Sequence, residues 1–353
     1  MRPEVRNTLE SQQGPQGGGS CLRPDRALFS PGTTRFTERA RARLLPLLSL
    51  LLAAPACMPD FAPASELGER PQVLAIRAEP PEVAPGGASL LSALLHEPTP
   101  LSRVWIACFA DPDDREDNCV AAALQDGAAL SPCGADPQAR LCVVSGDATA
   151  LVEVPSWFVP VLPDDEGVPT RALVHVELVA STAPDPLSAC GDAIAAVAPD
   201  DRCLLAVKRV VVTWDAAPNR NPTWAALWVD DVLAEPGDPV EWAAPTSDPE
   251  SLHVQLTAEL EPTAVDDAVN AQGEPDETFL DVLWYSDCGG FDRDHGRIRC
   301  DPGADPTAPP RCESDTARWS PGRFGDCRVH VVLYDGRGGV GWRSQSFAIV
   351  SPR

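Results

Sequence analysis

Between residues 173 and 180 the chain alternates strictly: Val174, Val176, Leu178 and Ala180 share one face, and His175 and Glu177 lie on the other. A side-chain period of two marks a strand with one buried face. The same alternation recurs at 252–260, where Val254, Leu256, Ala258 and Leu260 oppose His253, Gln255, Thr257 and Glu259. Scanned for this pattern and for turn residues, the first half of the chain predicts strands at 72–79, 88–95, 101–109, 140–145, 149–154, 171–180 and 203–213. Between the first two, the run Pro80-Pro81-Glu82-Val83-Ala84-Pro85-Gly86-Gly87 interrupts any continuous strand. The second half predicts strands at 252–260, 278–286, 316–319, 327–334 and 340–350, with Asp335-Gly336-Arg337-Gly338-Gly339 as the turn before the last. An Ala-rich stretch at 187–197 is the one helix expected.

Seven short strands over about 140 residues fit a β-sandwich with elaborated loops. The polar, Pro-containing stretch 214–222 then separates two units, 72–213 and 223–353. As an exposed linker it is expected to be cut first by proteases. The reading is all-β: two tandem sandwiches. Composition agrees, because 38 Pro and 25 Gly against 2 Met favour short segments and turns over long helices.

The N-terminal region changes the picture from fold to location. Arg35, Arg39, Arg41 and Arg43 precede the apolar run 44–54, which ends in Pro55-Ala56-Cys57. Basic, apolar and small residues in that order make a secretory signal. Eleven apolar residues at about 1.5 Å rise cover roughly half of a 30 Å hydrocarbon core, too little for a membrane span. A Cys directly after small residues here resembles the lipobox of bacterial lipoproteins. That resemblance implies cleavage before Cys57 and its conversion into a diacylglyceryl-modified N-terminus; plain signal cleavage after Ala56 is the competing reading. Residues 1–34, rich in Gly, Gln and Pro, do not fit a signal, so the leader 1–56 reads as a lipoprotein signal peptide behind a start assigned too far upstream. A Pro- and acid-rich linker, 57–71, is then expected to hold the first sandwich off the membrane.

The net charge is −24, with +4 in residues 1–56 and therefore −28 in the remainder. That footprint is opposite to what nucleic acid or an anionic membrane attracts, which excludes nucleic acid as a partner. Ten cysteines follow Cys57: Cys108, Cys119, Cys133, Cys142, Cys190, Cys203, Cys288, Cys300, Cys312 and Cys327. An even count without Cys-x-x-Cys, in an exported chain, predicts five disulfides and not metal sites. Antiparallel strands ending at Ser286 and beginning at Cys327 would bring Cys288 to Cys327 and leave Cys300 with Cys312. In the first unit the short closures 108–119, 133–142 and 190–203 are preferred among the 15 pairings that six cysteines allow.

The stretch RVHVVLYDGRGGVGWRSQSFAIV, residues 328–350, resembles the closing hairpin of Ig-like, PKD-like and cadherin-like extracellular modules. The opening VLAIRAEPPEVAPGGASLLSALL resembles the first two strands of Ig-like modules in surface lipoproteins of high-GC Gram-negative bacteria. The resemblance implies two tandem Ig-like β-sandwich domains at the cell envelope.

Chemistry is sparse. The five histidines, His96, His175, His253, His295 and His330, form no His-Glu-x-x-His, and Gly-x-Ser-x-Gly is absent. His253 and His330 are expected on solvated strand faces. The loop 111–118 offers six acidic or amide oxygen donors in eight residues, which makes Asp111, Asp113 and Asp117 candidate calcium ligands; a plain solvated acidic loop is the alternative. Trp157-Phe158 and Trp224 with Trp228 are candidate sugar-stacking residues, whereas Trp228 and Trp284 also suit a sandwich core. The expectation is a non-enzymatic, lipid-anchored envelope protein at the outer membrane or cell surface, a structural or adhesion-type module for an envelope protein or polysaccharide. The alternative is an envelope polysaccharide or peptidoglycan hydrolase using Asp292, Asp294 and Glu277, which needs carboxyl groups about 5 Å apart for retention.

Overall fold

A computed structural model describes residues 65–109, 130–136, 138–159, 171–195, 203–214, 219–244, 248–249, 252–261, 278–301 and 311–352. The leader, Cys57, the acidic loop with Asp111, Asp113 and Asp117, Cys119 and Glu277 lie outside these residues.

The first sandwich is built from β1 (Gln72–Glu79), β2 (Glu82–Val83), β3 (Ala88–His96), β4 (Ser102–Cys108), β5 (Leu141–Ser145), β6 (Thr149–Glu153), β7 (Arg171–Ser181) and β8 (Cys203–Thr213). One sheet runs β1-β3-β6, the other β2-β8-β7-β4-β5, and every pairing is antiparallel except β2 with β8. Trp105, Leu91 and Leu178 are fully buried between the sheets. The Trp105 indole N–H donates to Asp147 O at 3.0 Å, so the ring's apolar area is buried without stranding its donor.

The expected half-buried face of β7 is a correction. His175 and Glu177 are buried as well, because α1 (Pro186–Ala195) and the outer edge of β4 and β5 raise a second apolar cluster, with Ile106, Val179 and Cys190, on that side. Alternation reports which positions are apolar, and a later segment decides whether the other face meets water.

The second sandwich contains β9 (Trp224–Val229), β10 (Val232–Leu233), β11 (Val240–Ala243), β12 (Val254–Leu260), β13 (Thr278–Ser286), β14 (Gly289–Phe291), β15 (His295–Asp301), β16 (Arg311–Cys312), β17 (Asp315–Pro321), β18 (Gly325–Tyr334) and β19 (Val340–Val350). Its sheets run β10-β9-β12-β17-β14 and β11-β19-β18-β13-β15-β16. Trp284, Trp319 and Phe347 fill the core, and Trp319 and Phe347 have ring centroids 4.8 Å apart. By area alone each buried indole contributes on the order of 5 kcal/mol. Both indole donors are satisfied, Trp284 by Asp315 Oδ2 at 2.8 Å and Trp319 by Ser286 Oγ at 3.1 Å. The fold is all-β, with one short helix among the described residues.

Four disulfides join Cys133 to Cys142, Cys190 to Cys203, Cys288 to Cys327 and Cys300 to Cys312. Cys108 is disulfide-bonded too. In the chain-entropy account a closure of 39 residues, as for Cys288 and Cys327, contributes about 4 kcal/mol and the short ones about 3 kcal/mol each.

The two sandwiches meet at a seam that is polar at one end and apolar at the other. At the apolar end, Ala75 of β1 is buried with Val332 and Val340, flanked by Leu94, Leu283, Tyr285, Tyr334 and Trp342. Arg77 lies over the Trp342 ring at 4.7 Å, and Tyr334 donates its hydroxyl to Leu74 O at 3.1 Å. At the polar end, Asn219 and Asn221 are buried, although the sequence places them on an exposed linker. Asn219 donates its backbone N–H to Glu82 Oε2 at 2.8 Å and its amide to Asp335 Oδ2 at 2.7 Å. Asn221 donates to Ala78 O at 2.7 Å and Glu79 Oε2 at 2.6 Å, and accepts from Val340 N at 2.9 Å. Lys208 reaches across from β8 to Gly338 O. Burial pushes its ammonium down to about 8, against the pull of Asp335.

The β18–β19 turn is shaped to fit this seam. Asp335 Oδ1 accepts from both Arg337 N and Gly339 N at 2.8 Å, with Gly336 and Gly338 at φ 71° and 106°. A Cβ on Gly339 would lie 2.7 Å from Arg220 O, so the linker and the turn fit only with glycine there.

Asn221→Ala strips three hydrogen bonds from buried groups and is expected to cost roughly 2–4 kcal/mol in denaturant unfolding. In the wild type the buried, hydrogen-bonded Asn219 and Asn221 should slow trypsin at the Arg220–Asn221 bond; in the variant that bond should become an early cleavage site.

Candidate functional site

The N-terminal linker is not free over its whole length. Ser65 and Leu67 are buried, and the segment pairs with the end of β13: Ser286 N donates to Ser65 O at 2.9 Å and Leu67 N to Ser286 O at 2.7 Å. The chain therefore touches the second sandwich before it enters the first. Beyond this contact it forms one wall of a partly open cavity of about 440 Å³, a volume within the range of small-ligand sites.

Three parts of the chain supply the walls: Leu67, Gly68 and Glu69 from the tether; Leu95, His96, Glu97 and Pro98 from the end of β3; and Asp287, Arg323, Arg328 and His330 from the second sandwich. His96 Nε2–H donates to Gly68 O at 2.7 Å, which clips tether to β3 and leaves Nδ1 as the free ring atom of the neutral form. Asp287 and Arg328 face each other one residue from the Cys288–Cys327 disulfide, and Asp287 Oδ1 accepts from Arg328 N at 2.7 Å. Glu97 is paired with Arg103. Neither the Arg323 nor the Arg328 guanidinium has an ion pair or hydrogen bond among the described residues.

His330 is buried, contrary to the solvated position expected from its strand, because the end of β3 and the tether cover this part of β18. Its Nδ1 lies 2.7 Å from Ser344 Oγ. Burial, then Arg328 and His96, pushes the imidazole down to about 4, so it is neutral at pH 7 and too weak a base to activate Ser344. His253 does take the exposed position expected, 2.7 Å from Ser320 Oγ. Neither pair has a carboxylate orienting the imidazole among the described residues.

Of the carboxylates of the hydrolase reading, Asp292 is engaged, and Glu277 lies outside the described residues. Asp292 Oδ1 accepts from Arg318 N at 2.8 Å, and neither Asp292 nor Asp294 lines the cavity. Asp287, Cys288 and Cys327 place three ligand-type atoms close together, but both sulfurs are bonded to each other, so no thiolate is available to a metal. The tryptophans do not form one platform: Trp157 packs edge-on against Phe109 and buried Phe158, while Trp224 and Trp228 lie half-buried on β9. Trp284 is in the core.

Sequence reasoning passed over Arg323, Arg328, Asp287 and His96. One signal was present. Asp287 and Arg328 each adjoin a cysteine of the pair expected between neighbouring strands, which sets them side by side.

No protein-family model and no curated protein matches the chain. Among solved structures, fibronectin(III)-like modules of Clostridium thermocellum CbhA align at 13% identity over 78% of this chain and 95% of theirs, TM-score 0.20. The N-terminal Ig1-2 module of the Drosophila receptor protein tyrosine phosphatase DLAR aligns at 10% identity over 80% of this chain and 100% of its own, TM-score 0.22. Yersinia pseudotuberculosis adhesin InvE aligns at 10% identity over 77% of this chain and 58% of its own, TM-score 0.17. At such scores the architecture rests on the strand pairings of the chain itself. No helix among the described residues is long and apolar enough to cross a membrane, and the disulfides fit an oxidising compartment.

His330 gives the site a pH signature. Its folded pKa lies below the ordinary 6.5, so the unfolded chain binds the proton first and stability falls as pH drops from about 6.5 to about 4. The loss attributable to His330 is about 3 kcal/mol when complete. In His330→Gln, urea unfolding followed across this window should show a shallower decline than in the wild type.

Proposed function

We propose that this protein is a lipid-anchored component of the cell envelope that works as a disulfide-braced binding module, presenting a rigid pair of β-sandwiches and the cavity between them. The observation that carries this reading is the cavity, whose walls come from the tether and from both sandwiches at once. Such a site needs the seam intact, which gives the buried Asn219 and Asn221 contacts a purpose beyond joining two folds. It holds cationic, acidic and aliphatic side chains suited to recognition, without a nucleophile and base poised for turnover among the described residues. The acyl chains on Cys57 would hold the protein at the membrane, and an envelope polymer or protein would be its partner. The calcium reading of Asp111, Asp113 and Asp117 stays a secondary part of this proposal, as a stabilising ion in a loop.

The anchor is tested by growing native cells with an alkyne fatty acid and comparing wild type with Cys57→Ser. Label is expected in the wild type alone; equal label in both would remove the anchor. Absence of turnover is tested by incubation with purified peptidoglycan and capsular glycan. Release of fragments that disappears in Asp292→Asn or Asp294→Asn would replace the binding reading with the hydrolase.

A further inference from the structure

In a chain with 52 acidic and 28 basic residues, arginines find carboxylates easily. Arg103 pairs with Glu97, Arg293 with Asp315 at 2.7 Å, Arg297 with Asp281 at 3.0 Å, Arg299 with Asp301 at 2.7 Å and Arg337 with Glu82 at 3.4 Å. Arg323 and Arg328, like Arg311 and Arg318, have no such partner among the described residues, and these two line the cavity. Three acids line the same cavity, but none forms an ion pair with either arginine: Asp287 Oδ1 accepts from Arg328 N, Glu97 pairs with Arg103, and Glu69 stands on the wall before β1. Two unpaired guanidiniums on one cavity suit an oxyanion, since each offers paired N–H donors matched to phosphate oxygens.

We propose that the cavity binds a phosphate group, held by the Arg323 and Arg328 side chains across the wall formed by the tether. This rests on the binding reading above and gives it a ligand class. The tether adds a second line of support. Leu67 lies ten residues after Cys57, so with Cys57 in a membrane the cavity mouth stands at most about 35 Å from the lipid surface. Both a phospholipid headgroup and a free phosphorylated solute supply this chemistry at that place.

The full chain is titrated with inorganic phosphate at constant ionic strength, with chloride as the balancing anion, and its Tm is followed. A saturable rise is expected through ligand linkage. Arg323→Gln with Arg328→Gln should leave the Tm without phosphate unchanged, because both side chains are exposed, and should weaken the apparent affinity at least tenfold. Co-sedimentation of the Cys57→Ser chain with phosphatidylglycerol vesicles and with phosphatidylcholine vesicles identifies the source. Pelleting with the former that the double substitution abolishes assigns a lipid headgroup; a phosphate response without pelleting assigns a soluble ligand. No phosphate response in the wild type, or an equal one in the double variant, overturns the site. Fatty-acid labelling and the glycan assays are read separately, so a failed phosphate site leaves the anchored module standing.

Discussion

The carboxylate of Glu82 is fully buried, and its desolvation sets the terms for everything around it. A buried charge is tolerated only when donors surround it. Glu82, held in the first sandwich by β2, finds them on two other parts of the chain: Asn219 N supplies a donor from the connecting segment, and Arg337 approaches from the hairpin turn of the second at 3.4 Å. None of these can move independently without leaving a charge unsolvated. Asp335 repeats the logic one step away, ordering its own turn while accepting from Asn219. Two sandwiches joined by a short segment would ordinarily swing; here a buried hydrogen-bond network ties them together.

That constraint explains which parts of the molecule could be read from the sequence. The strands at Arg171–Ser181 and Val254–Leu260 were legible because their alternation runs long enough to stand out. β15 was not: its inward positions are Gly296, Ile298 and Cys300, and only one of them is a large aliphatic residue. Gly296 is required because a Cβ would meet the buried carboxylate of Asp315, which already holds the Trp284 indole and Arg293. The short β10, β14 and β16 exist as pairings to longer neighbours and carry no pattern of their own. The four disulfides among the described residues were legible for a simple reason, since cysteines at the ends of paired strands or across short loops have few other partners in reach.

The cavity was the least legible part. Its residues are spread over three regions of the chain, and what brings them together is the seam and the docked tether, both long-range. His330 shows the mechanism of the error. On the strand it occupies an outward position, yet the neighbouring sandwich and the tether turn that outer face into an interior. Asn219 and Asn221 fail in the same way: polar residues beside prolines read as a solvated linker, but their amides are the groups that satisfy buried backbone at the seam.

The route of the N-terminal segment has a mechanical meaning. Tension applied from the N-terminal side reaches Ser286 through the Ser65 and Leu67 pairing before it reaches β1. Two residues beyond Ser286, the Cys288–Cys327 bond ties β13 to β18 covalently, so force entering there spreads into the widest sheet of the molecule and not along a single strand. Those few backbone hydrogen bonds would therefore act as a fuse.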